Sequence, residues 1–321
     1  MTERIGSVTD VVSVLRRATS MGVVGHVGPD GDALGSMVAL SLAARDAGIA
    51  AVASFDEPFV VPDEMSFLDT STLVPPADFP EDLDVAVVVD TSVPARVGSL
   101  AEKLDAADHL VVIDHHISDG QWGDHLLIDR TAAAAAELVY EVIVELGWEI
   151  TPEVATALYT GIVTDTGRFQ YSSTSSQTHQ IAAHLLDHDV HPDVIGQKLF
   201  EEASFGYYHV ASRVLGRAVL DEDHRFVWSM MRDGDLKDAG ISPHETDGLI
   251  DLVRMARGTE VACLLKEKGN GTVKGSLRSR GAIDVARIAG FFDGGGHHNA
   301  AGFTTTKSPE TVIAEITALL P

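Results

Sequence analysis

Met21-Gly22-Val23-Val24-Gly25-His26-Val27-Gly28-Pro29-Asp30-Gly31-Asp32-Ala33-Leu34-Gly35-Ser36-Met37 passes from an apolar run, through a loop bearing His26, Asp30 and Asp32, into a small-residue segment. A run that stays apolar on successive residues reads as a strand buried on both faces, the habit of parallel sheets. Gly28, Pro29 and Gly31 permit a sharp backbone path out of that strand. The helix that follows is expected to run to about Asp46, with Gly48 where a C-terminal glycine belongs. Strand, ligand loop and helix in that order open an α/β sheet.

Two later apolar runs repeat the pattern. Residues 85–90 end in Val88-Val89-Asp90, and residues 110–114 lead into Asp114-His115-His116. A fourth segment, Thr164-Asp165, differs in origin: Pro152 opens a helix that carries Ala157, Leu158, Gly161 and Ile162 toward Asp165, so this carboxylate comes from a helix end. Ligands at the carboxyl ends of parallel strands converge on one crevice, which predicts one site rather than four.

His26, Asp30, Asp32, Asp90, His115 and Asp165 supply enough donors for two divalent cations. One carboxylate bridging the pair would hold the ions roughly 3.5–4 Å apart, and Asp90 is the choice for that bridge. Carboxylates with some imidazole suit Mn²⁺, or Mg²⁺, better than thiolate-loving metals. An isolated Asp after a strand is more often a cap or turn residue, so the weight rests on the four segments taken together.

At 321 residues the chain is long enough for two cores. The expected fold class is α/β: an N-terminal domain (1–186) with a mainly parallel sheet flanked by helices, a connection over 187–209, and a smaller α/β C-terminal domain (210–321). Five prolines between Pro58 and Pro80 make 56–83 irregular, residues 132–147 and 176–186 favour helix, and a further helix is expected over 243–257. Strands are expected at 225–231, 260–266 and 272–278, the last two joined by the hairpin signal Gly269-Asn270-Gly271.

The formal net charge of −25 argues against a protein that neutralises long duplex nucleic acid. The charge is uneven: residues 1–209 carry 9 Lys and Arg against 33 Asp and Glu, and residues 210–321 carry 14 against 15. A small anionic substrate is therefore expected, drawn by metal charge and a few arginines of the second part. No stretch approaches the roughly 20 apolar residues that span a bilayer. The N-terminus lacks a basic region followed by a long apolar run, and Cys263 stands alone; together these lead us to expect a cytoplasmic, non-membrane protein.

These motifs resemble the DHH phosphoesterase family, named for the triplet that stands here as Asp114-His115-His116. Gly294-Gly295-Gly296-His297, continuing as His298-Asn299-Ala300-Ala301-Gly302-Phe303, is similar to the glycine signature of the C-terminal domain in the RecJ and nanoRNase branches. The resemblance implies that His26, Asp30 and Asp90 bind one metal, that Asp32, Asp90, His115 and Asp165 bind the other, and that His116 faces the scissile phosphate. It also implies a homodimer. Three glycines in a row let backbone N–H groups approach a phosphate, with His297 and Asn299 beside them. Arg278 is the candidate phosphate clamp, Arg280 reads equally well as a solvated charge, and Arg168 is weaker still.

The extra nucleic-acid domain of long RecJ nucleases is not expected here, which directs the resemblance to the nanoRNase type. Its implied substrates are short RNA, linear dinucleotides such as pApA, and 3′-phosphoadenosine 5′-phosphate. Alternatives are a dedicated cyclic di-AMP phosphodiesterase and, from a different class, a non-catalytic nucleotide sensor. The expected chemistry is metal-assisted in-line hydrolysis with no covalent enzyme intermediate.

Overall fold

A computed structural model of the chain describes residues 4–116 and 122–321, apart from the side chains of His244 and His297. Two compact units emerge, residues 1–202 and 203–321.

The first unit runs β1 (Arg4–Gly6), α1 (Val8–Leu15), β2 (Ser20–Val24), α2 (Gly31–Asp46), β3 (Ala50–Ser54), β4 (Val85–Val89), α3 (Ala101–Asp105), β5 (His109–Asp114), β6 (His125–Asp129), α4 (Ala135–Leu146), α5 (Pro152–Asp165), α6 (Ser176–Leu186) and α7 (Pro192–Gly196). Its sheet has the order β1-β6-β5-β4-β2-β3, parallel throughout except for β1 at one edge. Successive residues of β4 point to opposite faces. Val85, Val87 and Val89 join a core with α1, α2, α4 and α5, while Ala86 and Val88 pack with Phe79, Leu100 and Leu104. Both faces are covered, which is why these strands lack polar alternation. The order reverses between β2 and β4, so the loops after these strands open at the switch point where α/β sheets bind ligands.

Segment 56–83 holds only short 3₁₀ turns and one β-bridge between Ala53 and Leu73. Residues 187–209, polar enough to read as a connection, contain α7 and a wide helical turn at Gln197–Glu201, and Val190 and Ile195 are buried in the first core.

The second unit runs α8 (Phe205–Gly216), β7 (Val219–Asp221), β8 (Phe226–Met231), α9 (Asp233–Ala239), α10 (Leu249–Val253), β9 (Val261–Glu267), β10 (Val273–Ser279), α11 (Val285–Gly290), β11 (Gly295–His297), β12 (Ala300–Thr305) and α12 (Pro309–Leu319). The sheet order is β11-β12-β10-β9-β8-β7, with only the β8–β9 pair parallel. Phe226, Val261, Cys263, Leu265 and Leu277 pack on one face with α11 and α12; Val227, Ala262 and Leu264 pack on the other with α8 and α10. The Gly269-Asn270-Gly271 signal does join an antiparallel pair, with Val273 opposite Glu267.

The helix expected over 243–257 is a correction. It breaks into a 3₁₀ turn at His244–Thr246 and the short α10. Buried Lys266 is the physical reason: its Nζ donates to Thr246 O at 3.0 Å, Thr246 Oγ1 at 3.1 Å and Asp247 Oδ1 at 2.8 Å, which takes the 246 carbonyl out of a helical ladder.

Candidate metal centre

Each donor arrives by a different local device. Asp30 is the N-cap of α2, its Oδ1 accepting from the N–H groups of Asp32 and Ala33, both at 3.1 Å. Asp32, in the first turn, is buried and faces the N-terminus of α4: Ala135 N donates to Oδ2 at 2.6 Å and Ala136 N to Oδ1 at 2.9 Å. Asp90 follows β4 with a left-handed φ of 59° while its N–H still donates to Ile113 O at 3.0 Å. Asp165 ends α5.

The six predicted donors come together. His26 Nε2 lies 3.4 Å from Asp90 Oδ2 and 3.8 Å from Asp30 Oδ1. His115 Nε2 lies 3.3 Å from Asp90 Oδ1, 3.3 Å from Asp165 Oδ2 and 3.7 Å from Asp32 Oδ2. Three overlapping groups, His26/Asp30/Asp90, Asp90/His115/His116 and Asp32/His115/Asp165, each place their ligand atoms within 4.8 Å of one another. Asp90 and His115 are the members shared between groups.

This donor set fits cations. The buried atoms His26 Nε2 and Asp90 Oδ1 have no hydrogen-bond partner among the described residues, an arrangement that ordinary packing avoids. The Nδ1 atoms of His26 and His115 sit beside backbone carbonyls, Val27 O at 3.1 Å and Ala132 O at 3.3 Å. A carbonyl holding Nδ1–H leaves the Nε2 lone pair for an ion, the usual outer support of a metal-binding imidazole.

The charges tell the same story. Burial, then Asp90 and Asp165, push the Asp32 carboxyl well above its ordinary range, and burial leads the causes that raise Asp165 to about 6. Burial would depress the two imidazoles, yet neighbouring carboxylates overturn it and raise His26 and His115 to about 10. Carboxyls raised by burial and by one another, beside imidazoles raised by carboxylates, mark an excess of negative charge that bound cations would offset.

His116 stands at the edge of this cluster, its Nδ1 2.7 Å from Asp114 Oδ1 and 3.5 Å from Asp90 Oδ1. Asp114 is fully buried; against that burial, the contact with His116 lowers its pKa to about 2. Sequence reasoning missed this supporting role, although Asp114 opens the triplet that named the family. It also missed the α4 amides. Their signal is Ala134 at the N-cap, a residue that offers no cap of its own.

In the second unit, Arg278 on β10 pairs in the ladder with Ala262 on one side and Ala300 on the other. Its Nε lies 3.8 Å from Asp251 Oδ1. Asn299 ties the β11–β12 turn to the end of β10: Ser279 Oγ donates to its Oδ1 at 3.1 Å and Ser279 N to its O at 2.9 Å. The glycines divide in role. A Cβ on Gly294 would sit 2.3 Å from Gly302 O and one on Gly296 2.4 Å from Ala300 O, so both are required by β12 itself. Only Gly295 faces open space. The His297 backbone pairs with Ala300, and its side chain lies outside the described residues.

Fold and donor chemistry together define a metal-dependent phosphoesterase of the open-sheet α/β class. The chain belongs to the DHH family: residues 20–162 match the DHH family N-terminal domain, and residues 223–320 match the DHHA1 domain. It is 32% identical over 283 residues to the bifunctional oligoribonuclease and PAP phosphatase NrnA of Thermus thermophilus, covering 87% of this chain and 82% of that one. It is also 31% identical over 217 residues to the cyclic-di-AMP phosphodiesterase GdpP of Geobacillus thermodenitrificans, covering 66% of this chain but 32% of that protein. In fold it resembles the crystal structure of an exopolyphosphatase-related protein from Bacteroides fragilis, with a TM-score of 0.90, 24% identity and coverage of 97% and 94%. No helix among the described residues is long and apolar enough to cross a membrane.

Proposed function

We propose that the chain hydrolyses short oligoribonucleotides, linear dinucleotides such as pApA, and 3′-phosphoadenosine 5′-phosphate, using two Mn²⁺ ions. The observation that carries this reading is the set of three overlapping donor groups linked through Asp90 and His115. The substrate class is supported by the similarity to NrnA and by the excess of acidic residues in 1–209, which disfavours a long polyanion.

In this reading His26, Asp30 and Asp90 hold one ion, and Asp32, Asp90, His115 and Asp165 hold the other. When bound, the ions supply Lewis-acid charge at the phosphoryl oxygens and an activated water. Asp114 fixes His116 through Nδ1, so that Nε2 is left to serve the scissile phosphate or the leaving oxygen. Arg278 takes a second phosphate, with the Gly295 backbone, His297 and Asn299 beside it. Imidazole among the donors favours Mn²⁺ over Mg²⁺. A cytoplasmic homodimer completes the proposal; the half-exposed Val144 on α4 is a candidate contact, and the mass in solution tests it.

The test is product analysis with Mn²⁺ on pApA, a five-nucleotide RNA, 3′-phosphoadenosine 5′-phosphate and cyclic di-AMP, with Asp90→Asn as control. Turnover of the first three by wild type alone supports the proposal. Preferential turnover of cyclic di-AMP would replace it with the phosphodiesterase reading, which the similarity to GdpP favours. Binding of Mn²⁺ and nucleotide without turnover would leave a sensor.

A further inference from the structure

The turn that opens α4 holds two separate parts of the donor cluster. On one side the Ala132 carbonyl lies 3.3 Å from His115 Nδ1. On the other, the Ala135 and Ala136 amides grip both oxygens of Asp32. Five residues of backbone therefore set the orientation of an imidazole from the end of β5 and a carboxylate from α2.

Beyond the backbone bonds from Ala132 N to Asp129 O and from Glu137 N to Ala134 O, both at 3.2 Å, the side chains of the turn add nothing to fix its shape. Ala134 at the N-cap has no side-chain hydrogen bond, and residues 132–136 are all alanine. The missing restraint comes from Glu137, whose Oε2 accepts from Ala133 N at 3.1 Å. Glu137 is 4% exposed, with Thr178 of α6 beside its carboxylate. Its second oxygen, Oε1, is buried without a hydrogen-bond partner among the described residues. A carboxylate this buried is costly to a fold, and its position is explained if it serves the site.

We infer that Glu137 is a positioning residue of the metal centre, locking the 132–136 turn so that Ala132 aims His115 and the α4 amides aim Asp32. It does not itself touch an ion or substrate. The inference rests on the metal-binding reading proposed above. Supports of this kind typically change metal affinity by about 10–100-fold when removed.

The experiment is a Mn²⁺ titration of the full chain, following free Mn²⁺ by electron paramagnetic resonance, with melting temperatures of the metal-free proteins measured alongside. Glu137→Ala is expected to weaken Mn²⁺ binding by roughly 10–100-fold. Glu137→Gln keeps an acceptor for Ala133 N–H and is expected to remain within about 3-fold of wild type. Val142→Ala, a core truncation on the same helix, is expected to lower the melting temperature without changing Mn²⁺ affinity. Glu137→Asp, one methylene short of the Ala133 amide, is expected to repeat the alanine result and decides the matter should alanine fail to fold. Wild-type affinity in Glu137→Ala or Glu137→Asp would overturn the inference, as would equal losses in Glu137→Gln or Val142→Ala. A wild-type chain that binds no Mn²⁺ would instead sink the metal-binding reading itself.

Discussion

Asp90 combines three features that seldom coincide: a left-handed backbone, near-complete burial, and a carboxylate oxygen with no hydrogen-bond partner among the described residues. A left-handed conformation costs an ordinary L-residue about 1–2 kcal/mol, Asp somewhat less, and glycine nothing. Strain of this sort is retained where surrounding structure and function demand it. Asp90→Gly and Asp90→Ala remove the same carboxylate, so their difference isolates the backbone. Metal-free Asp90→Gly is expected to be more stable than Asp90→Ala by ~1 kcal/mol in urea unfolding. Both should lose turnover by about 10²-fold or more, the scale of losing a key electrostatic contact. Equal stabilities would mean that residue 90 is not held left-handed. At this scale the donors stand out in the sequence, because each lies just after an apolar run or at a helix end. Their supports do not. The bond from Ala135 to Asp32 spans 103 residues, and no local pattern announces it.

Between elements, α2 and α5 approach closely enough to set Asp32 beside Asp165. A Cβ on Gly35 would lie 2.4 Å from Ala157 O, and one on Gly161 would lie 2.7 Å from Ala136 Cβ and 2.9 Å from Asp32 Oδ1. Gly161→Ala is therefore expected to destabilise the chain by about 1–3 kcal/mol, as overpacking does, and to weaken Mn²⁺ binding; urea unfolding and metal titration check the two effects. The glycine run of the second unit gives the opposite contrast. Gly295→Ala should melt with wild type, whereas Gly294→Ala should melt lower, because only the latter collides with β12. The parallel strands, α4, α6 and the origin of Asp165 at a helix end are readable from periodicity, proline placement and Gly147. The broken helix at 243–257 is not, because Lys266, which breaks it, arrives from a strand 20 residues away. Nor does the sequence separate glycines needed for packing from one that leaves room for a ligand.

For the molecule as a whole, the two units have separate cores and separate electrostatics. The first concentrates negative charge around a site that cations would relieve. The second relies on ion pairs such as Asp235 with Arg217, where the guanidinium, outweighing burial, holds the Asp235 carboxyl below its usual range. A depressed carboxylate contributes stability that is present above its unfolded pKa of about 3.9 and is lost as pH falls through its folded value. Calorimetry at pH 7 is accordingly expected to resolve two transitions. Mn²⁺ at 100 times its Kd should raise one of them, that of residues 1–202, by about 2.7 kcal/mol for each ion bound. Asp235→Asn should lower the other by about 1–3 kcal/mol, the cost of weakening a buried charge-assisted bond. The gap between wild type and Asp235→Asn should then close on acidification below the carboxylate range, since the wild-type aspartate is by then protonated in both states. A single transition moved by both the metal and the substitution would show that the cores unfold together, and a gap unchanged by acid would remove Asp235 as a source of pH-dependent stability.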